Sequence, residues 1–173
     1  MVEPYTGAVG MIMPENGVIA DTNIVSYAMK QFSIAQDYRQ LLIGYEVHIS
    51  FVTAAELHYW AKKDRWGVPR YLQLKRFLDQ CPVVPFSRGM EEVFAEVMAE
   101  RQRIGRRIER ADAWIATTAL YYDVPLVTND EDFVYTRNLR IITTSATVRT
   151  ARAELPVVMR PELSLNMRCE CSL

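Results

Sequence analysis

Short apolar runs alternate with longer stretches of helical period along most of this chain. GVIA (17–20) has the length and continuity of a short buried strand, and helical segments follow over Ile24 to Lys30 and Ser33 to Ile43, broken near Phe32. EVHIS (46–50) alternates as a second strand. TAAELHYWAKK (53–63) returns to helical period, with Leu57, Trp60 and Ala61 on one apolar face. Pro69 suits the start of a further helix through YLQLKRFLDQ, and CPVVPF supplies a third strand. Ser87 is placed to cap a long helix over GMEEVFAEVMAERQRIG, which Gly105 stops. Then come an apolar helix (ADAWIATTALYYD, 111–123), a fourth strand (PLVT, 125–128), a helical turn at DEDFVY and a fifth strand (LRII, 139–142).

Strands that alternate with helices predict an α/β fold, a three-layer α/β/α sandwich around a mainly parallel sheet. Residues 1–16 precede the pattern as an N-terminal extension, and 17–145 form the domain. Residues 146–173 lose clear periodicity and read as a loosely ordered tail or a partner-binding arm. Met11 and Met13 offer later starts.

Composition narrows the function classes. No apolar run approaches the roughly 20 residues that span a bilayer, and the N-terminus has neither the basic nor the apolar region of a signal peptide. Three cysteines, two of them at 169 and 171, make no disulfide framework and suit a reducing cytoplasm. The net charge of -1 excludes a uniformly basic nucleic-acid binder but not a local basic patch. Neither GxGxxG nor a phosphate-binding GKS/T loop is present. His48 and His58 are lone residues that read as surface positions.

Four acids fall where strands end or helices begin, the places where open parallel sheets bind ligands. Asp21 follows the first strand, Glu56 lies just after the second, Asp112 opens the helix before the fourth strand, and Asp130 follows that strand. Each has a plain structural alternative. Asp21 is a natural helix cap. Thr53 to Glu56 has the form of a T-x-x-E capping box. Asp112 complements a helix dipole, and Asp130 and Asp132 are common turn acids. Gathered together, however, four carboxylates repel one another, and a hard divalent cation such as Mg²⁺ relieves that repulsion through oxygen ligands. RQRIGRRIER (101–110) places five arginines just before Asp112. Arg106 and Arg107 are the candidates for phosphate contact, against the alternative of a solvated helix face; Lys62, Lys63 and Arg65 read more simply as a solvated helix end. Trp114, two positions past Asp112, points away from it and reads as core or interface, whereas Ala116 and Ala119 share its side. Tyr27, Met29 and Phe32 suit either the core or a subunit contact.

VIADTNIVSY, VTAAELHYWA, RRIERADAWIATTAL and PLVTNDEDF, in that order, resemble the four signature blocks of PIN-domain nucleases, most closely the VapC-type toxins of bacterial toxin–antitoxin pairs. The likeness runs from about residue 17 to 142. It implies an endoribonuclease that uses Mg²⁺ or Mn²⁺, with Asp21, Glu56, Asp112 and Asp130 as the acidic quartet and Asp21, Asp112 and Asp130 as its metal ligands. Glu56 is then a ligand to a second metal or the acceptor of a water proton. Asn23 and Thr128 match supporting polar positions, and Asp132 matches a further position that is often acidic. The partners implied are RNA, a cognate antitoxin and a second copy of the chain, and the setting is the cytoplasm. The long N-terminal extension and residues 146–173 depart from the compact family pattern. Two rivals share the fold: a housekeeping PIN ribonuclease without an antitoxin, and an inactive PIN binding module. The latter predicts a broken acid, and all four are intact.

Overall fold

In this computed structural model, which describes residues 11–30 and 33–155, five parallel strands lie in the order β3-β2-β1-β4-β5. They are β1 (Gly17–Ala20), β2 (Glu46–Ser50), β3 (Val83–Val84), β4 (Leu126–Val127) and β5 (Ile141–Ile142). The helices are α1 (Thr22–Lys30), α2 (Ser33–Leu41), α3 (Phe51–Lys63), α4 (Val68–Gln80), α5 (Met90–Arg103), α6 (Arg110–Tyr121) and α7 (Ala146–Glu154), with a 3₁₀ turn at Glu131–Tyr135.

The first of the described strands, β1, is the central strand of the sheet, and all four of its residues are buried. A strand covered on both faces has no solvent side, so its sequence is apolar throughout. Successive side chains serve opposite layers. Ile19 joins Met90, Val97, Ile115 and Ala116 beneath α5 and α6. Val18 and Ala20 join Ile24, Tyr38, Leu57 and Leu74 beneath α1 to α4. Leu126 and Val127 divide the same way, which completes the three-layer sandwich.

Several local expectations change. Ser87 does not cap α5; Gly89, at φ 98°, holds that position, and the Ser87 hydroxyl meets the Tyr122 hydroxyl at 3.0 Å. His48 is buried rather than superficial. Burial depresses its pKa, and its Nε2 lies 3.3 Å from Glu46 without hydrogen-bond alignment. Residues just past 145 form α7, capped by Ser145 and packed through Val148 and Leu155 against Val134. Its apolar positions are too few to show a period. Cys81 is buried and free, and Phe32, Cys169 and Cys171 lie outside the described residues. No helix among the described residues is long and apolar enough to cross a membrane.

Candidate active site

Asp21 leaves β1 and starts α1 in one step. Its carbonyl accepts from Val25 N–H at 3.2 Å, while its carboxylate accepts from the amides of Thr22 and Asn23 and from the Thr128 hydroxyl, at 2.9 Å. It therefore is a helix cap, as one alternative had it, yet it is only 2 % exposed. Burial outweighs the three donors, and with the nearby Asp130 carboxylate it pushes the carboxyl up to about 6.

The capping box expected of Thr53 and Glu56 does not form. The helix begins earlier, so Ser50 caps α3 and receives the Thr53 amide at 3.0 Å. Glu56, released from that task, accepts the Thr22 hydroxyl on Oε2 at 2.6 Å. One residue after Asp21, Thr22 thus ties the second acid to the first.

Asp112 lies in the first turn of α6, where Ala113, Ala116 and Ala119 are fully buried and let the helix approach the sheet closely. Burial, then repulsion from Asp21, Asp130, Glu56 and Glu109, pushes its carboxyl up to about 7. No hydrogen bond among the described residues relieves it. Asp112 is the acid on which the fields of the other three converge.

Asp130 is held by its neighbours. Its amide donates to the Thr128 hydroxyl at 3.0 Å, and its Oδ1 caps the 3₁₀ turn through the Asp132 amide at 2.9 Å. The turn-acid alternative is therefore also true of it. A polar hollow of about 310 Å³ beside it is lined by Asn23, Tyr27, Asn129, Asp130 and Glu131. A larger hollow, about 600 Å³ and mostly apolar, lies between α1, α2 and α4 and holds none of the four acids. Asp132 is exposed; among the described residues its bonds run to Asp130 and Arg101, not to Asp21 or Asp112.

The arginine stretch divides. Arg101, 1 % exposed, is a strut: it donates to the carbonyls of Arg106, Arg107 and Asp132 and to the Thr136 hydroxyl. It fixes the loop that delivers Asp112, and nothing in the sequence set it apart from its four neighbours. Arg106 and Arg107 are exposed, with the Arg106 guanidinium 4.6 Å from the Tyr135 ring. Tyr38 is a second residue sequence reasoning missed. Its hydroxyl bonds Asn129 and accepts the Thr144 amide at 3.1 Å, bracing the loops after β4 and β5. Trp114 stacks on Phe94 at 4.2 Å in a packed aromatic cluster with Phe51 and Phe86, away from the acids.

The donor set suits a hard cation. Its atoms are carboxylate oxygens, two of the carboxyls are raised by burial and mutual repulsion, and Asp112 has acceptors to spare. No three His, Cys, Asp or Glu side chains among the described residues form a ready metal cluster. Mg²⁺ does not need one, since it commonly takes one or two carboxylates and completes its octahedron with water and phosphate oxygens.

The family model of the PIN domain matches residues 18–139. The chain belongs to the PIN-domain family. Ribonuclease VapC2 of Rickettsia felis is 29% identical over 112 residues, covering 64% of this PIN chain and 84% of that protein. The structure of VapBC2 from Rickettsia felis bound to a DNA fragment from their promoter aligns with a TM-score of 0.67 at 27% identity, covering 73% of this chain and 98% of that one. A toxin–antitoxin complex from Klebsiella pneumoniae aligns with a TM-score of 0.51 at 26% identity, covering 67% and 89%. The parallel sheet and the layered helices are those of a PIN domain.

Proposed function

We propose that this PIN domain is an endoribonuclease dependent on Mg²⁺ or Mn²⁺, and the toxin of a toxin–antitoxin pair. The observation that carries the reading is the convergence of Asp21, Glu56 and Asp130 on Asp112, a half-buried carboxylate that no donor among the described residues hydrogen-bonds. Relatives named as VapC ribonucleases and structural neighbours named as VapBC and toxin–antitoxin complexes support the same conclusion.

Asp21 and Asp112 would hold the metal directly, with Asp130 completing the site through its own oxygen or a water. A divalent cation in such a site neutralises charge building on the phosphate and acidifies water. The chain's own residues set the geometry. Thr128 and the Thr22 and Asn23 amides fix the Asp21 carboxylate. Glu56 keeps Oε2 on the Thr22 hydroxyl, which would leave Oε1 to take a proton from the attacking water. Asn23 lies at the mouth of the polar hollow. Arg106 and Arg107 would meet backbone phosphates, and Asp132 would adjust that rim through Arg101. We assign the setting to the cytoplasm, where Cys81 stays a free thiol, and the assembly to a homodimer that binds an antitoxin.

The test is incubation of the purified chain with labelled total RNA in Mg²⁺, in Mn²⁺ and in EDTA, beside Asp21→Asn and Asp112→Asn. Cleavage that needs the metal and disappears in both variants is expected. A chain that never cuts and whose melting temperature ignores both metals would overturn the reading.

A further inference from the structure

A second hollow, about 330 Å³, opens between α1, α3 and α4, within the range of about 300–1,000 Å³ typical of ligand sites. Its lining includes Asn23, Tyr27, Trp60, Lys63, Trp66 and Arg70. Asn23 and Tyr27 also line the hollow that contains Asp130, so the two share a wall. We propose that this hollow docks a nucleotide of the RNA strand next to the one being cut, its base against the aromatic wall and its phosphates on the α3–α4 cations. The inference rests on the ribonuclease reading.

Three observations carry it. The first is chemical: single-stranded nucleic acids are held by planar side chains beside cations. The Arg70 guanidinium lies 3.7 Å from the centre of the Trp66 ring, a flat pair of the kind on which bases stack. The second is charge. Lys62, Lys63, Arg65 and Arg70 cluster around the single acid Asp64, and no carboxylate among the described residues pairs with any of them. Asp64 lines the hollow too, so Lys63 and Arg70 outnumber it two to one there, and that positive excess suits phosphate.

The third is backbone strain. Helix α3 ends with the Trp66 amide on the Ala61 carbonyl and the Arg65 amide on the Lys62 carbonyl, the bonding pattern that normally places glycine where Arg65 stands. Arg65 sits there at φ 47°. The other residues with positive φ that are not glycine, among those described, are Asp123 and Asn138, types that tolerate the conformation. The conformation is a cost for an arginine, and its exposed side chain adds positive charge beside Asp64 and Trp66, which line the hollow.

The experiment measures anisotropy of a short labelled single-stranded RNA on full-length Asp112→Asn protein across a salt series. Lys63→Ala/Arg70→Ala is expected to lose about tenfold in affinity and to flatten the slope of log K against log salt by about 1.4, or 0.7 for each phosphate contact. Lys75→Ala/Arg76→Ala removes equal charge from exposed positions of α4 outside the hollow and should stay within about twofold of the parent. Arg65→Gly should weaken binding while leaving the melting temperature equal or higher, which separates recognition from folding. Equal losses in both double variants, or no loss in the first, overturn the proposal. So does loss of antitoxin binding with RNA affinity intact, which would give the hollow to the protein partner. If the unsubstituted chain cuts RNA while the hollow variants bind normally, only this inference fails; if it never cuts, the ribonuclease reading fails as well.

Discussion

The Thr128 hydroxyl donates to Asp21 at 2.9 Å while accepting the Asp130 amide at 3.0 Å, joining acids that follow neighbouring strands and stand far apart in the chain. One oxygen sets the orientation of one carboxylate and the backbone of another. Residues that orient ligands in this way typically matter about 10–100-fold. Thr128→Val keeps the shape and removes both bonds, so kcat/KM should fall by about that factor with the fold intact by circular dichroism. Thr128→Ser should recover most of it. Full activity in the valine variant would make Asp21 self-positioned.

The raised carboxyls predict how the metal-free protein responds to pH. Asp21 moves from 3.8 to about 6 and Asp112 from 3.8 to about 7, chiefly by burial. Folding therefore favours their neutral forms. That stability is complete below the ordinary value and is lost as pH rises through the folded values. In EDTA the melting temperature should fall between about pH 4 and 7, and Asp112→Asn should flatten the upper part of the fall. Metal must displace those protons, so Mn²⁺ or Mg²⁺ should raise the melting temperature more above pH 7 than below 6. A flat profile would contradict both assignments.

Arg101 predicts a loss of stability that charge alone would not give. Its guanidinium satisfies three carbonyls and a hydroxyl in a buried setting. Arg101→Met leaves those acceptors unmet, at about 1–3 kcal/mol for each one that water cannot reach. We expect a total near 3 kcal/mol in urea unfolding, and Arg101→Lys should rescue little because an ammonium lacks the planar fork. Arg107→Ala, at an exposed position, should unfold like the parent.

Glu56 separates structure from chemistry. Glu56→Gln still offers an oxygen to the Thr22 hydroxyl, so stability should stay within about 0.5 kcal/mol. Removing the base should cost about 10²–10⁴ in kcat at saturating metal. A glutamine variant as active as the parent would leave Glu56 only as the acceptor for Thr22.

Much of this arrangement was legible in the residues, for definable reasons. The strands declare themselves because β1 is apolar throughout and because helical period returns between strands. The four acids stood out because each sits near the end of a strand or the start of a helix, and the capping reading of Asp21 and Asp130 holds. What could not be read depends on which of several similar residues a tertiary contact selects. Five arginines crowd positions 101–110, and only packing decides that Arg101 turns inward while Arg106 lies over Tyr135. The capping alternative for Glu56 fails because the T-x-x-E pattern carries no information about where α3 begins; Ser50, three residues before Thr53, is the cap. His48 is buried because β2 is covered on the face that alternation alone left unassigned.

Among the described strands, the central one is also the first to be synthesised. β1 can pair with β2 early, but its other edge waits for β4, the partner that brings Thr128 and Asp130. At about 5–20 residues per second that delay lasts on the order of 5–20 seconds, during which an unpaired edge stays open at the middle of the future sheet. A ribosome making this protein therefore holds a harmless chain until β4 has emerged. The capacity to damage RNA arrives only when β4 takes its place beside β1.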